Sequence, residues 1–435
     1  MIKFFTILFL FILSYTPIYS QQYWLSHPSP TPSNLRTCFF IDSLNGWIGG
    51  DSGLMIRTTN KGQSWTFQNT GATYAIISMY FLNQRLGYAI SWEIDNNPPN
   101  YYGTRIFATT NGGINWSNTL LPDTNLFINS VFFLDSLNGF IGGSEGKIFY
   151  TTNSGNDWNL SVTDSGVVFG FPVREIKFYD SQNGFAAGGV FDIAGVIYKT
   201  INGGRNWSVQ IVGPEPVNDL YYFDSVNVIG MGGDFEYGSS KVTTSDGGAV
   251  WDYHEFGVFG IANSIGFRTR NEGWASLGIV DSFLVSTNGG SKWKLKGTPN
   301  GAKIYKLFFI DSLNGWAVGN DGVILKYNSN LLDISENNFS IPNAITLYQN
   351  YPNPFNPFTV ISYQLTVSNY VSLKVYDVTG KEIATLVNQK QIAGSFSVDF
   401  NAGNFPSGIY LYELRAVEEY TGKKYSQTKK MIILK

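Results

Sequence analysis

At 435 residues the chain is long enough for two or three domains, and it combines 47 Gly and 16% aromatic residues with only 14% charged ones. That balance fits a turn-dense β protein and argues against a helical bundle, a disordered chain or a collagen-like repeat. One Cys and two His exclude a disulfide scaffold and the common zinc sites, and a net charge of −3 leaves no basic surplus for nucleic acid.

Met1 to Ser20 reads as a secretory signal peptide: Lys3 supplies the positive start, Phe4–Leu13 the apolar run, and Ser20 the small residue before cleavage. No later stretch is apolar enough to span a bilayer as a helix. Cys38 lies in an apolar strand (TCFFID), which predicts a buried structural thiol.

A phrase then recurs through the middle of the chain. It appears as FFIDSLNGWIGG from Phe39, FFLDSLNGFIGG from Phe132 and FFIDSLNGWAVG from Phe308, with weaker copies around Asn83, Asp180, Asp224 and Thr269. A second phrase follows the first six copies, ending in Trp65, Trp116, Trp158, Trp207, Trp251 and Trp293. Each unit reads as four short strands: one ending at Asp-Ser, a hairpin at Asn-Gly, a second ending at glycines, a third running into Asn-x-Gly, and a fourth beginning at the Trp. Positive φ is expected at the hairpin glycines Gly46, Gly139 and Gly315. Four-stranded units repeated in this way predict a seven-bladed β-propeller over residues 21–330. The seventh unit lacks its Trp phrase. Trp24 precedes Asp42 by 18 residues, within the 17–22 that separate each box Trp from the next unit, so Trp24 is expected to supply the last strand of blade seven and close the ring.

These residues carry a resemblance. The Ser/Thr-x-Asp-x-Gly-x-x-Trp pattern, with Asn in the Asp position five times and Asp246 once, resembles the Asp-box or BNR repeat of sialidase-like propellers. With the Asp-Ser-x-Asn-Gly phrase it looks most like propellers of the photosystem II assembly and stability factor type. The resemblance implies a fold, since enzymes and binding proteins share it. The two His have no visible partners, the eight propeller Arg form no sialidase context, and no catalytic residue is assigned. A two-carboxylate glycosidase stays open as the alternative, because 26 acidic residues lie between Asp42 and Glu336.

Loop lengths point to a binding face. Hairpins between first and second and between third and fourth strands barely vary, whereas second-to-third connections do. Blade two inserts residues 91–105, and blades four and five lengthen theirs over 188–195 and 232–240. Variable loops on a rigid scaffold carry binding. The candidate ligand residues are therefore Trp92, Glu93, Asp95, Tyr101, Tyr102, Phe191, Asp192, Phe235, Glu236 and Tyr237. Aromatics beside carboxylates suit a sugar or a polypeptide. No cofactor and no metal are expected, and the chain is expected to be a monomer.

Residues 331–340 read as a polar linker and 341–435 as a small immunoglobulin-like β-sandwich. Its order resembles the type A C-terminal sorting domain of the type IX secretion system. The matching residues are Asn350, Tyr351, Pro352, Asn353, Pro354, Phe355, Asn356, Pro357, Gly380, Gly408 and the Lys-rich end at Lys435. The resemblance implies a Bacteroidetes-like or related bacterium, recognition by outer-membrane export machinery, and a destination on the cell surface or in the medium. The expected protein is thus an exported, non-enzymatic propeller binding a protein or glycan.

Overall fold

The structure, a computed structural model, describes residues 23–96, 99–164, 170–329, 345–365, 369–391, 394–418 and 424–434. The signal peptide and the linker assigned above lie outside the described residues. The chain divides into two units, Met1–Leu331 and Leu332–Lys435. Every regular element is a strand apart from short 3₁₀ turns, and among the described residues no helix is long and apolar enough to cross a membrane.

Among the described residues the first unit holds seven sheets, each built on four antiparallel strands that follow one another in the chain except in blade seven. Blade one contains Leu35–Phe40, Gly46–Gly50, Met55–Thr58 and Thr66–Phe67. Blade seven contains Ile304–Phe309, Gly315–Gly319 and Ile324–Tyr327, and its fourth strand is Trp24–His27, registered Trp24↔Tyr327 through His27↔Ile324. The innermost strands touch in cyclic order, with Leu35–Phe40 packed against both Ile76–Phe81 and Ile304–Phe309, so the ring is closed. Blade four carries a fifth strand, Val162–Thr163, which runs parallel to Asn206–Gly213 and covers its edge.

Aromatic rings fill the seams. Trp316 of blade seven stacks on Phe40 of blade one at 4.8 Å, and Trp65 stands edge-on to both. Trp47 on Phe81 and Tyr88 on Phe133 repeat the stack at 3.7 Å. This geometry corrects the expected role of the hairpin glycines. Gly46, Gly139 and Gly315 do not have positive φ. The turn is closed instead by the Asp side chain: Asp135 Oδ1 accepts the amides of Leu137 and Asn138, each at 2.8 Å. The glycine is there because a Cβ on Gly139 would stand 2.5 Å from the Phe133 ring, and one on Gly46 2.2 Å from that of Phe40. Positive φ belongs to the other turn, where Lys61 and Gly62 both adopt it and Thr58 Oγ1 accepts the Gly62 amide at 2.9 Å. Asn60 Oδ1 then accepts the Ser64 amide at 3.0 Å, and five other blades repeat the pair of bonds with their own residues.

The second unit is a sandwich of three and four strands. Thr346–Leu347, Phe358–Leu365 and Gly394–Asn401 form one sheet; Glu382–Gln391, Asn369–Tyr376, Gly408–Glu418 and Lys424–Ile433 form the other. Its core is its own, built around Ile361, Tyr363, Leu373, Tyr412 and Ile433.

Candidate functional site

Six inner strands share one six-residue pattern, of which the blade-six strand Ser264–Phe267 supplies places three to six, and together they build an axial channel of about 600 Å³. First and fourth residues, such as Leu35 and Cys38, go to the core, and sixth residues are buried, as Phe40 is, or half-buried, as Phe178 is. In six blades the ladder slips at the second residue, leaving Arg36, Ile77, Asn129, Arg174, Asn218 and Tyr305 bulged. A bulge turns its side chain out of the sheet, and these six line the channel mouth on the face of the variable loops. Third residues stitch the blades: Ser78 Oγ accepts the Val131 amide, Ser130 Oγ that of Ile176, and Asp219 Oδ2 that of Ile265, at 3.0–3.3 Å. Each of those amides is the fourth residue of the next inner strand. Fifth residues form an aromatic arc, with Phe308, Phe39, Tyr80 and Phe132 spaced 4.9–5.1 Å apart. Lys177 and Gly266 occupy the fifth place in blades four and six.

The wall of the channel opposite that arc is charged. Asp219, 1% exposed, receives Lys177 Nζ at 2.5 Å and Lys306 Nζ at 3.3 Å, and Lys306 also reaches Glu175 at 3.5 Å. Burial opposes the charge on Asp219, but the two lysines prevail and hold its carboxyl down at about 2. Burial raises Glu175 and outweighs the pull of Lys306. Cys38 beside the channel is buried and its thiol is pushed up to about 12, so it is a core residue as expected.

At the mouth, Arg36 is clamped by Asp51 at 2.6 and 2.9 Å and lies over the Tyr305 ring. Arg174 has no carboxylate partner among the described residues. Its guanidinium lies 4.9 Å over Phe191, which meets Phe235 at 5.7 Å. Two of the lengthened loops are therefore brought together here. Asp192 has φ +60 at the tip of the blade-four turn, and Phe235, Glu236 and Tyr237 are exposed on the blade-five loop. Asp234 anchors that loop, its Oδ1 accepting the amides of Glu236 at 2.9 Å and Tyr237 at 2.6 Å.

The described candidate side chains of the blade-two insertion, Trp92 and Glu93, are engaged elsewhere. The insertion extends the second and third strands, Gly87–Asn96 and Pro99–Thr109, which stay paired out to Asn96↔Pro99. Trp92 donates its indole N–H to the Ile128 carbonyl at 2.6 Å, and Glu93 pairs with Arg105 at 2.8 Å. Trp92 thus holds the hairpin against blade three, and Glu93 ties its two strands together. The side chains of Asp95, Tyr101 and Tyr102 lie outside the described residues.

Sequence reasoning missed Arg174, Glu215 and Asp234. Glu215 sits in the link before the blade-five inner strand, and both its carboxyl and that of Asp234 are buried, at 2% and 1% exposure. The signal was available for Arg174: a lone cation at the second place of a strand whose neighbours there are Asn129 and Asn218.

In the second unit the matched motif is a structural staple. Asn350 is buried, takes the Tyr412 hydroxyl on its amide N–H at 2.8 Å, and donates its side-chain amide to Pro352 O and Thr359 Oγ1. Asn353 Oδ1 accepts the Ile432 amide at 2.8 Å, and Phe355, buried in the core, exchanges backbone bonds with Ile432 and Leu434. The segment Asn350–Pro357 thus covers the free edge at the end of the last strand, leaving Tyr351 80% exposed. Gly380 has φ +84 in a turn fixed by Asp377, and Gly408 opens its strand. Lys435 lies outside the described residues.

Residues 349–434 match the family of secretion system C-terminal sorting domains. Over 82 residues the chain is 38% identical to the chloroplast photosystem II stability/assembly factor HCF136 of Oryza sativa subsp. japonica, a stretch covering 18% of this chain and 19% of the relative. The chain therefore matches about a fifth of the length of its curated relatives. Among solved structures it resembles one described as YCF48 bound to D1 peptide, at 20% identity and TM-score 0.56, covering 71% of this chain and 97% of that one. It also resembles an ancestral GH74 enzyme, at 12% identity and TM-score 0.52, covering 94% and 64%. These likenesses show the propeller fold. The sorting domain sends the chain across the outer membrane to the cell surface or the extracellular space.

Proposed function

We propose that the exported propeller binds a protein or glycan ligand at the channel mouth and catalyses no reaction. The observation that carries this reading is the convergence of Arg174, Phe191 and Phe235 from blades four and five on one end of a ready-made channel. A cation stacked on an aromatic ring offers a planar donor fork beside apolar surface, which suits the mixed polar and apolar character of a polypeptide or a sugar. A polypeptide is favoured as the first ligand class, because a protein of the same fold has been solved with a peptide.

The carboxyl groups support binding over hydrolysis. Two-carboxylate cleavage of glycosides needs the groups about 5 Å or more apart, one a free acid and one a free base. Asp219 has both oxygens engaged, and Glu215 and Asp234 are buried at the facing ends of two paired strands of blade five. Peptide and glycan arrays probed with the mature full-length protein, alongside a glycosidase screen, test the reading. Phe191→Ala with Phe235→Ala should weaken ligand retention by about tenfold or more. Sugar release by the wild type that is lost in Glu175→Gln would establish the glycosidase alternative instead.

A further inference from the structure

Three loops meet beneath the candidate ligand face, and carboxyl groups tie them together. Glu215 comes from the link into blade five, Asp234 from the blade-five loop and Asp192 from the blade-four turn. Glu215 Oε2 and Asp234 Oδ2 are both fully buried and find no N–H or O–H donor of any other group. The ladder sets the two acids opposite each other, with Val217 paired to Gly232 and the Gly233 amide bonded to the Pro216 carbonyl at 3.1 Å, so that one proton between the carboxyls would satisfy both orphaned oxygens. Asp192 brings a third acidic charge to bear on Glu215. The backbone leaves no slack: Gly195 lies so close to the Glu215 carbonyl that a Cβ there would stand 2.0 Å from it.

We propose that Glu215 and Asp234 form a proton-dependent latch holding the blade-four and blade-five loops of the ligand face together. The idea rests on the ligand-face reading for its functional meaning, but the latch itself is a property of the free protein. With the proton in place, Glu215 donates to the Asp234 carboxylate, whose other oxygen holds the amides of Glu236 and Tyr237. Loss of that proton to solvent leaves two buried carboxylates side by side. The groups acting on Glu215 are Asp234, Asp192 and Glu255, all acidic, with the Tyr237 and Tyr253 hydroxyls nearby. None of these groups carries a positive charge to absorb the second negative one, and the loops should part.

Burial first, then the Asp234 bond and charge, raise the Glu215 carboxyl to about 7. The latch is accordingly complete at mildly acidic pH and is lost as the pH rises through about 7. Asp234, held low by its amide donors, keeps its charge throughout this range.

Amide hydrogen exchange on the mature full-length chain, corrected for the intrinsic rate at each pH, reads the latch without any ligand. Protection over 188–195 and 232–240 should fall about tenfold between about pH 5.5 and about pH 8.5, while the blade-one turn at 51–54 holds steady. In Glu215→Gln protection should no longer change with pH. In Asp234→Asn, where an amide donates to an ionised Glu215, the midpoint should move well below neutrality. Equal protection of the wild type at both pH values, or an unshifted midpoint in either variant, overturns the proposal. Failure of every ligand in the arrays above would not touch it.

Discussion

Trp24 tests how the ring is closed. It is 2% exposed and sits in a box of aromatics: Phe283 stacked at 5.4 Å, Tyr327 and Trp274 edge-on at 5.4 and 5.7 Å, and Phe309 at 5.5 Å. Trp24→Ala keeps the backbone pairing with Ile324–Tyr327 and removes only the ring. A buried Trp takes about 200 Å² from water, and at roughly 25 cal/mol per Å² that is about 5 kcal/mol. Large-to-small changes at such sites cost about 3–5 kcal/mol, so the two routes agree. For a domain of this size the loss should lower the propeller's melting temperature by roughly 10 °C. Differential scanning calorimetry would resolve it from the transition of the terminal unit, which has a separate core. Deleting residues 21–33 should do more, because it also uncovers the Ile324–Tyr327 edge and invites association. A Trp24→Ala protein that melts within a degree of the wild type would show that the N-terminal strand is not a true part of blade seven.

Gly139→Ala should destabilise by about 1–3 kcal/mol through collision with Phe133, and Phe133→Leu in the same chain should recover part of it. A neutral Gly139→Ala in urea unfolding would refute the packing reason given for that glycine. Asp219→Asn should cost about 3–5 kcal/mol, since it leaves Lys177 and Lys306 without their shared carboxylate in the channel. Because the Asp219 carboxyl is held down at about 2, its contribution is present above the usual carboxylate range and is lost as the pH falls towards 2. The stability gap between wild type and Asp219→Asn should therefore shrink on acidification; a gap unchanged in acid would remove Asp219 from the network.

Much of the fold was legible because its determinants are local and repeated. Asp135 closing the hairpin over Leu137 and Asn138, and Thr58 and Asn60 closing the next turn over Gly62 and Ser64, depend only on near neighbours in sequence. Trp24 was legible through spacing alone. The hairpin glycines were misread because Asn-Gly has a strong positive-φ preference, and nothing local reveals that an inner-strand Phe ring lies across Gly46. The site was harder for the same reason. Bulges at Arg36, Asn129 and Arg174 depend on how one strand registers on the next, and the Glu215–Asp234 contact joins loops of separate strands. Length variation singled out the blade-four and blade-five loops, whose Phe191 and Phe235 meet. In blade two the same signal marked a longer hairpin, whose Trp92 and Glu93 serve blade three and their own strand pair.

The pairing of Trp24–His27 with Ile324–Tyr327 has a temporal consequence. A chain threaded N-terminus first through the inner membrane delivers that strand at the start and its partner about 300 residues later. Until then the first strand has no sheet to join, and the growing stack of blades has an open side. Closure comes only when the last propeller strand has emerged, immediately before the sorting unit follows. The order of delivery thus places the export address behind the completed ring, so that the outer-membrane machinery meets its signal only on a chain that already contains everything needed to close.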